Sequence, residues 1–242
     1  MTDHGTAAVG GMGATSFQKA DPYKNSKSLE FGFRAKRFQH VQKLIQAVLD
    51  ERGHAEILDL GGTETYWLIG EDFIRRNRNR LRFTMVNTEL VHTQQTDLFD
   101  FVQGSATDRS LFAGRTFDLV HSNSVIEHVG GWSDFEDFAY NTRRLAPRYY
   151  VQTPNYWFAY EPHFRFPGFQ YLPKRARAAL IMRRAIGFFS RIETLEEAMD
   201  IIEHHRLLST REMRRLFPDA NVIHEKIGPL NKSIIAIRDV PR

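Results

Sequence analysis

Asp59 stands two residues ahead of a glycine pair in Ala55-Glu-Ile-Leu-Asp-Leu-Gly-Gly-Thr63. Ile57, Leu58 and Leu60 supply an apolar run too short for a helix, and Gly61-Gly62 punctuate it. In open α/β sheets ligands bind beyond the carboxyl ends of the strands, where glycines let the backbone come close. Asp59, Gly61 and Gly62 therefore belong at the mouth of a nucleotide-type pocket. Taken alone, an ordinary strand-to-helix turn would look the same. The spacing also excludes two alternatives. The next glycine is Gly70, too far along for a dinucleotide fingerprint, and Thr63-Glu-Thr-Tyr66 lacks the lysine of a phosphate loop. A cofactor without bound phosphates accounts for both absences.

The second group of reactive types is histidine. His128 follows Glu127, and His163 closes Glu161-Pro-His163. Imidazole titrates near neutrality and suits general-base work. The competing readings are a helix-start histidine bonded to backbone for His128, and a loop-fixing histidine for His163. Glu161 and His163 make only two metal ligands, with no third apparent, so no metal is expected. His204-His205, on a polar helical stretch, read as solvated.

These residues need strands to present them. Arg82–Glu89 reads as a second strand ending in Asn87 and Glu89, Phe101–Asp108 as a third, and Thr116–Val129 as a fourth. Tyr66–Asn79 is long enough for the crossover helix that parallel pairing requires. Four successive strands, each with polar residues at the carboxyl end, are hard to explain by packing alone.

In these motifs the chain resembles the class I S-adenosylmethionine-dependent methyltransferases, particularly the small-molecule group that includes ubiquinone-pathway enzymes. The motifs span roughly residues 35–155. The resemblance implies a doubly wound, mostly parallel seven-stranded α/β sheet with helices on both faces. It implies S-adenosylmethionine as cofactor, with Asp59, Gly61 and Gly62 at its methionine part. An acid at the end of the second strand usually holds the ribose; here that position is Asn87, with Glu89 two residues on. Gly104-Ser105-Ala106 takes the place of the commoner Gly-Asp-Ala, which puts Ser105, Ala106 and Thr107 near the adenine. Asn123 and Ser124 fall beside the methionine carboxylate and the transferring methyl.

Composition agrees with one enzyme-sized domain: 242 residues, 42% hydrophobic and 26% charged. With no cysteine, disulfides, thiolate metal sites and a cysteine nucleophile are excluded. No apolar run approaches the roughly 18 residues of a membrane span. The first sixteen residues carry Gly5, Gly10, Gly11 and Gly13 and lack a signal-peptide pattern, so a cytoplasmic enzyme is expected. The net charge of +4 is spread out, and Arg75–Arg82 reads as the cationic end of the first crossover helix rather than a nucleic-acid contact.

Residues 1–28 are expected to be a flexible arm, with Phe17 and Tyr23 able to fold over the cofactor, and 29–242 the catalytic domain. Glu30–Arg52 and Asp134–Leu145 read as helices. Tyr149–Thr153, Val222–Ile227 and Lys232–Arg238 read as the remaining strands, the last antiparallel in the resembled family. Residues 156–205 form an insertion of about fifty residues, longer than usual α/β connections. It opens with aromatic Tyr156, Trp157, Tyr160 and Phe164. A helix then begins at Pro173, with Leu172, Ala176, Ala179, Met182, Ile186 and Phe189 on one face and Lys174, Arg177, Arg184 and Arg191 opposite. Such a helix can be buried against the domain, or serve as a substrate lid, a dimer surface or a membrane-surface contact. The expected activity is methylation, by oxygen in preference to nitrogen, of a small-molecule or glycan-type acceptor. The rival from another class is a non-catalytic cofactor-binding protein that kept the fold.

Overall fold

The computed structural model describes residues 29–90 and 93–241. The expected arm of residues 1–28, with Phe17 and Tyr23, lies outside them. A seven-stranded sheet is built from β1 (Ala55–Leu60), β2 (Leu81–Asn87), β3 (Phe99–Gln103), β4 (Leu119–Asn123), β5 (Arg148–Pro154), β8 (Asn221–Ile227) and β9 (Leu230–Arg238), in the order β3-β2-β1-β4-β5-β9-β8. A two-stranded ribbon, β6 (Tyr160–Glu161) with β7 (Phe166–Pro167), stands apart. The first five strands pair in parallel, and β9 runs antiparallel to both β5 and β8.

β1, β4 and β5 are buried on both faces, which is why they read as continuous apolar runs instead of alternating ones. On one face, α1 (Leu29–Arg52) lays Phe38, Val41, Leu44, Ile45 and Val48 onto Ile57, Phe83 and Tyr150. On the other, α4 (Trp132–Leu145) and α7 (Thr210–Leu216) bring Phe135, Phe138 and Met213 against Leu58, Val120 and Val151. The chain leaves β1 towards β2 and β3, then returns so that β4 lies on the other side of β1. That reversal opens a crevice at the carboxyl ends of β1 and β4.

Several boundaries depart from expectation. The crossover after β1 is two short helices, α2 (Glu64–Trp67) and α3 (Glu71–Arg76), separated by a 3-10 turn. The arginine cluster is accordingly split. Only Arg75 and Arg76 end an α-helix; Arg78 and Arg80 lie in a following 3-10 turn, Arg78 and Arg82 pair with Asp97 and Asp100, and Arg80 donates to the carbonyls of Gly53 and Leu49. The third strand stops at Gln103 and the fourth at Asn123, leaving the polar segments as loops.

The insertion holds the ribbon, α5 (Lys174–Arg183) and α6 (Leu195–Glu203). Its helix is shorter and rotated relative to the sequence reading. α5 ends at Arg183, before Ile186 and Phe189, which pair in a small bridge. Ala178 and Ile181 are buried, Ala176 and Ala179 are exposed, and Arg177 lies half-buried on the inner side. Phe164, Phe169, Ile181, Ile192, Ala198 and Ile202 give this segment an apolar core of its own. Parallel pairing of Asn155 with Leu208 pins both stems to the sheet.

Candidate active site

The glycine turn after β1 is shaped by what packs behind it. Gly61 adopts φ +73, and a Cβ there would lie 2.5 Å from Val125. A Cβ on Gly62 would lie 1.8 Å from Asp59 Oδ2. Asp59 is 1% exposed and bonded on both oxygens: Oδ1 lies 2.7 Å from His121 Nδ1, and Oδ2 accepts from Trp67 Nε1 at 2.9 Å. The carboxylate therefore braces the turn from inside.

The other residues expected to hold a cofactor share this edge. Gly61 N–H donates to Val86 O, Gly104 N–H to Asn87 O, and Ser124 N–H to Gln152 O. Asn87 is half-buried, its Oδ1 accepting from Glu89 N–H, while Glu89 is exposed. Ser105 and Thr107 join their hydroxyls at 2.7 Å beyond β3, next to buried Ala106. Ser124 takes φ +57, uncommon for a residue with a side chain, and bonds Gln152 Oε1. Asn123 Oδ1 is buried without a partner. An unfilled acceptor at a strand end fits a ligand bearing a donor such as an ammonium. Together with the bare glycine turn and its missing lysine, this fits a phosphate-free cofactor.

Beyond β4 and β5 the histidines converge. A 3-10 turn, Ile126–His128, follows β4 and buries Glu127 completely. Glu127 Oε2 accepts from Thr153 Oγ1 on β5 at 2.9 Å, while Oε1 has no partner. Burial pushes this carboxyl up to about 7, although His163 nearby favours its charge. His163, in the turn of the ribbon, donates from Nδ1 to Glu161 Oε1 at 2.7 Å, and Glu161 Oε2 accepts from Phe164 N–H. Burial opposes protonation of His163, yet the bond and charge of Glu161 raise it overall. His128 donates from Nδ1 to His204 O at 3.2 Å. Burial, followed by His163, lowers it to about 4.

His205 corrects the sequence reading. It is half-buried, its ring centroid lying 4.8 Å from that of His128 and 5.1 Å from that of His163; only His204 is exposed. Glu127, His128 and His163 each place a donor atom within 4.8 Å of the others, a grouping that does not include Glu161. No sequence spacing could show this, since His163 and His205 arrive on the insertion. Of the four aromatic residues expected at the pocket, Tyr156 and Trp157 line a cleft, whereas Phe164 stacks on Phe169 inside the insertion.

That cleft, about 1150 Å³, lies between the insertion and the carboxyl edge of the sheet. Gly130, Trp132, Tyr156, Trp157, Arg177 and His205 are among its walls. None of the residues expected at the cofactor lines it, and of His128, His163 and His205 only His205 does.

Among solved structures the chain is similar to the carbon methyltransferase CurJ, with 10% identity over 89% of this chain and 56% of that one, at a TM-score of 0.52. The fold is that of the class I methyltransferases. An O-methyltransferase family protein from Burkholderia thailandensis aligns at 14% identity over 85% of this chain and 59% of that one (TM-score 0.45). The N-methyltransferase NodS from Bradyrhizobium japonicum WM9 aligns at 10% identity over 86% and 97% (TM-score 0.44). The chain thus spans little more than half the length of the first two. No protein-family model and no curated protein matches it. Likeness at these identities establishes fold, and function has to be argued from the site.

Proposed function

We propose that this protein is an S-adenosylmethionine-dependent methyltransferase acting on a small-molecule or glycan-type acceptor, with oxygen as the preferred target. The observation that carries the proposal is the Glu161–His163 pair, whose imidazole meets those of His128 and His205, the last of which lines the open cleft. Gly61, Gly62 and Asp59 hold the methionine end, Asn87 or Glu89 the ribose, and Ser105, Ala106 and Thr107 the adenine. Asn123 and Ser124 lie nearest the reacting end, where the buried Asn123 Oδ1 accepts from the ammonium. The bound cofactor supplies an electrophilic methyl group on a sulfonium.

The chain contributes alignment and proton handling. Holding two reactants in line removes much of the entropic barrier. His163 has Nδ1 committed to Glu161, which leaves Nε2 as the basic atom and the stronger base of the cluster. His128, held neutral by burial, supports it. Tyr156 and Trp157, the latter 66% exposed, offer apolar faces on which a sugar or another ring can lie. The insertion acts as a lid, with closure over the cleft excluding water.

Calorimetric titration with S-adenosylmethionine and S-adenosylhomocysteine, followed by a methyl-transfer screen across sugars, quinones and amines, tests this reading. Binding with turnover on a hydroxylated acceptor supports it. Turnover on amines alone moves the target to nitrogen, and binding without turnover favours the non-catalytic rival. Failure to bind either cofactor form defeats the proposal.

A further inference from the structure

The histidine cluster is more elaborate than proton transfer requires. Three imidazoles converge, and each has its Nδ1 against an oxygen that can only accept: His204 O for His128, Glu161 Oε1 for His163, and Ile201 O for His205. Each Nδ1 therefore carries a hydrogen, and in the neutral ring each Nε2 keeps a lone pair. Among the described residues no hydrogen bond uses any of these Nε2 atoms. A relay would chain its members to one another, and these rings meet edge to face without such bonds. The fourth member, Glu127, is wholly buried with Oε1 unpartnered, an arrangement that costs free energy unless the carboxyl stays neutral or a cation answers its charge.

We infer that Glu127, His128 and His163 form a binding site for a divalent first-row transition-metal ion, with the His205 ring beside it. The three donor atoms lie within 4.8 Å of one another. Donors at about 2.1 Å from one ion sit roughly 3–3.5 Å apart, so the site closes with side-chain shifts of about 1 Å. Two imidazoles and a carboxylate form the set that takes zinc, iron(II), cobalt(II) or manganese(II) with positions left open. The carbonyl and carboxylate partners at Nδ1 are the outer contacts that orient metal-bound histidines. A cation would also answer the wholly buried Glu127, whose Oε1 has no partner.

The backbone locks the donors in place. Arg206 N–H donates to Glu127 O, tying the loop after α6 to the turn after β4. Gly187, at φ +63, approaches so closely that a Cβ would lie 2.3 Å from His163 O. His205, whose ring centroid lies 4.8 Å from that of His128 and 5.1 Å from that of His163, lines the cleft. The cation's use, unlike the site itself, rests on the methyl-transfer reading: an acceptor hydroxyl bound to the ion loses its proton more readily, and the proton leaves to water in the cleft. His163 would then be a ligand, and coordination would replace transfer to its Nε2.

Chelator-treated protein should be titrated with cobalt(II), followed by visible absorption, and with zinc by calorimetry. One equivalent should bind, with the cobalt bands of a four- or five-coordinate nitrogen–oxygen site. His163→Ala and Glu127→Gln should each weaken binding at least tenfold. Glu161→Gln, which touches no proposed ligand atom, should weaken it ten- to a hundredfold. Circular dichroism identifies any variant that fails to fold, and His128→Gln then replaces it. Binding that is absent at millimolar metal, or equal in wild type and folded variants, overturns the inference. Titrating the same samples with S-adenosylmethionine separates the two readings: cofactor binding without metal binding removes the cation alone, and the reverse removes the methyltransferase.

Discussion

Asp59 offers the sharpest test of how the sheet supports the cofactor crevice. Its oxygens are the acceptors for two buried donors, His121 Nδ1 at 2.7 Å and Trp67 Nε1 at 2.9 Å. Asp59→Ala strips both. A buried donor left unmade costs about 1–3 kcal/mol, so the variant should lose about 2–6 kcal/mol. Asp59→Asn separates shape from charge. The amide oxygen can still serve Trp67, but its NH2 then faces His121 Nδ1, which must become an acceptor. The ring proton moves to Nε2, which has no partner in the core. One orphan instead of two predicts roughly half the loss. Urea unfolding followed by tryptophan fluorescence reads both variants. Because the carboxylate lies against Gly62, the same substitutions should loosen the glycine turn. A turn that no longer holds the methionine end in place should weaken cofactor binding roughly tenfold, about 1.4 kcal/mol. An alanine variant that unfolds with wild-type stability refutes the network argument. A folded one that binds S-adenosylmethionine normally refutes the assignment of Asp59 to the cofactor.

Asn87→Leu should weaken cofactor binding while Asn87→Asp is tolerated or better, by calorimetry; a larger effect from Glu89→Gln would shift the ribose contact by two residues. In chelator-treated protein Glu127→Gln should stabilise the fold at high pH. The wild-type carboxyl is raised from 4.5 to about 7 by burial, so wild-type stability should fall as pH rises through that window, by about 3 kcal/mol. The gap between variant and wild type should be near zero below pH 4.5 and full above pH 7. Urea midpoints showing a pH-independent gap would contradict this. Under turnover, His163→Ala should lower kcat by about 10²–10⁴-fold without altering cofactor affinity; an unaffected rate with loss in His128→Ala would move the role to the core histidine.

The parallel sheet and its glycine turn were legible because their signals are local. A short apolar run, a glycine pair and polar residues at strand ends are adjacent in sequence, and parallel pairing places them on one edge without further information. The insertion was not legible in the same way. Assigning Ala176 and Ala179 to the buried face of α5 assumed an uninterrupted helix to Phe189. The chain instead turns after Arg183 and folds Ile186 and Phe189 back over Phe164. With the helix cut short, Ala178 and Ile181 pack on α6, and Arg177 is drawn inward with its guanidinium charge disfavoured by burial.

The same tertiary turn explains why His205 looked solvated. It sits two residues past the end of α6, where sequence gives only a polar stretch. Its environment is set by Phe164 and Phe189, which approach from the ribbon and the turn after α5. Glu127 and His128 belong to the sheet, whereas Glu161, His163 and His205 belong to a segment with its own apolar core. The reactive cluster exists only where these two packing units meet, joined by Arg206 N–H on Glu127 O and by Tyr156 N–H on Leu208 O. Motion of the insertion relative to the sheet would open the cleft and separate His163 from His128 together. On the proposed reading, a step that needs both histidines would be coupled to closure over the acceptor.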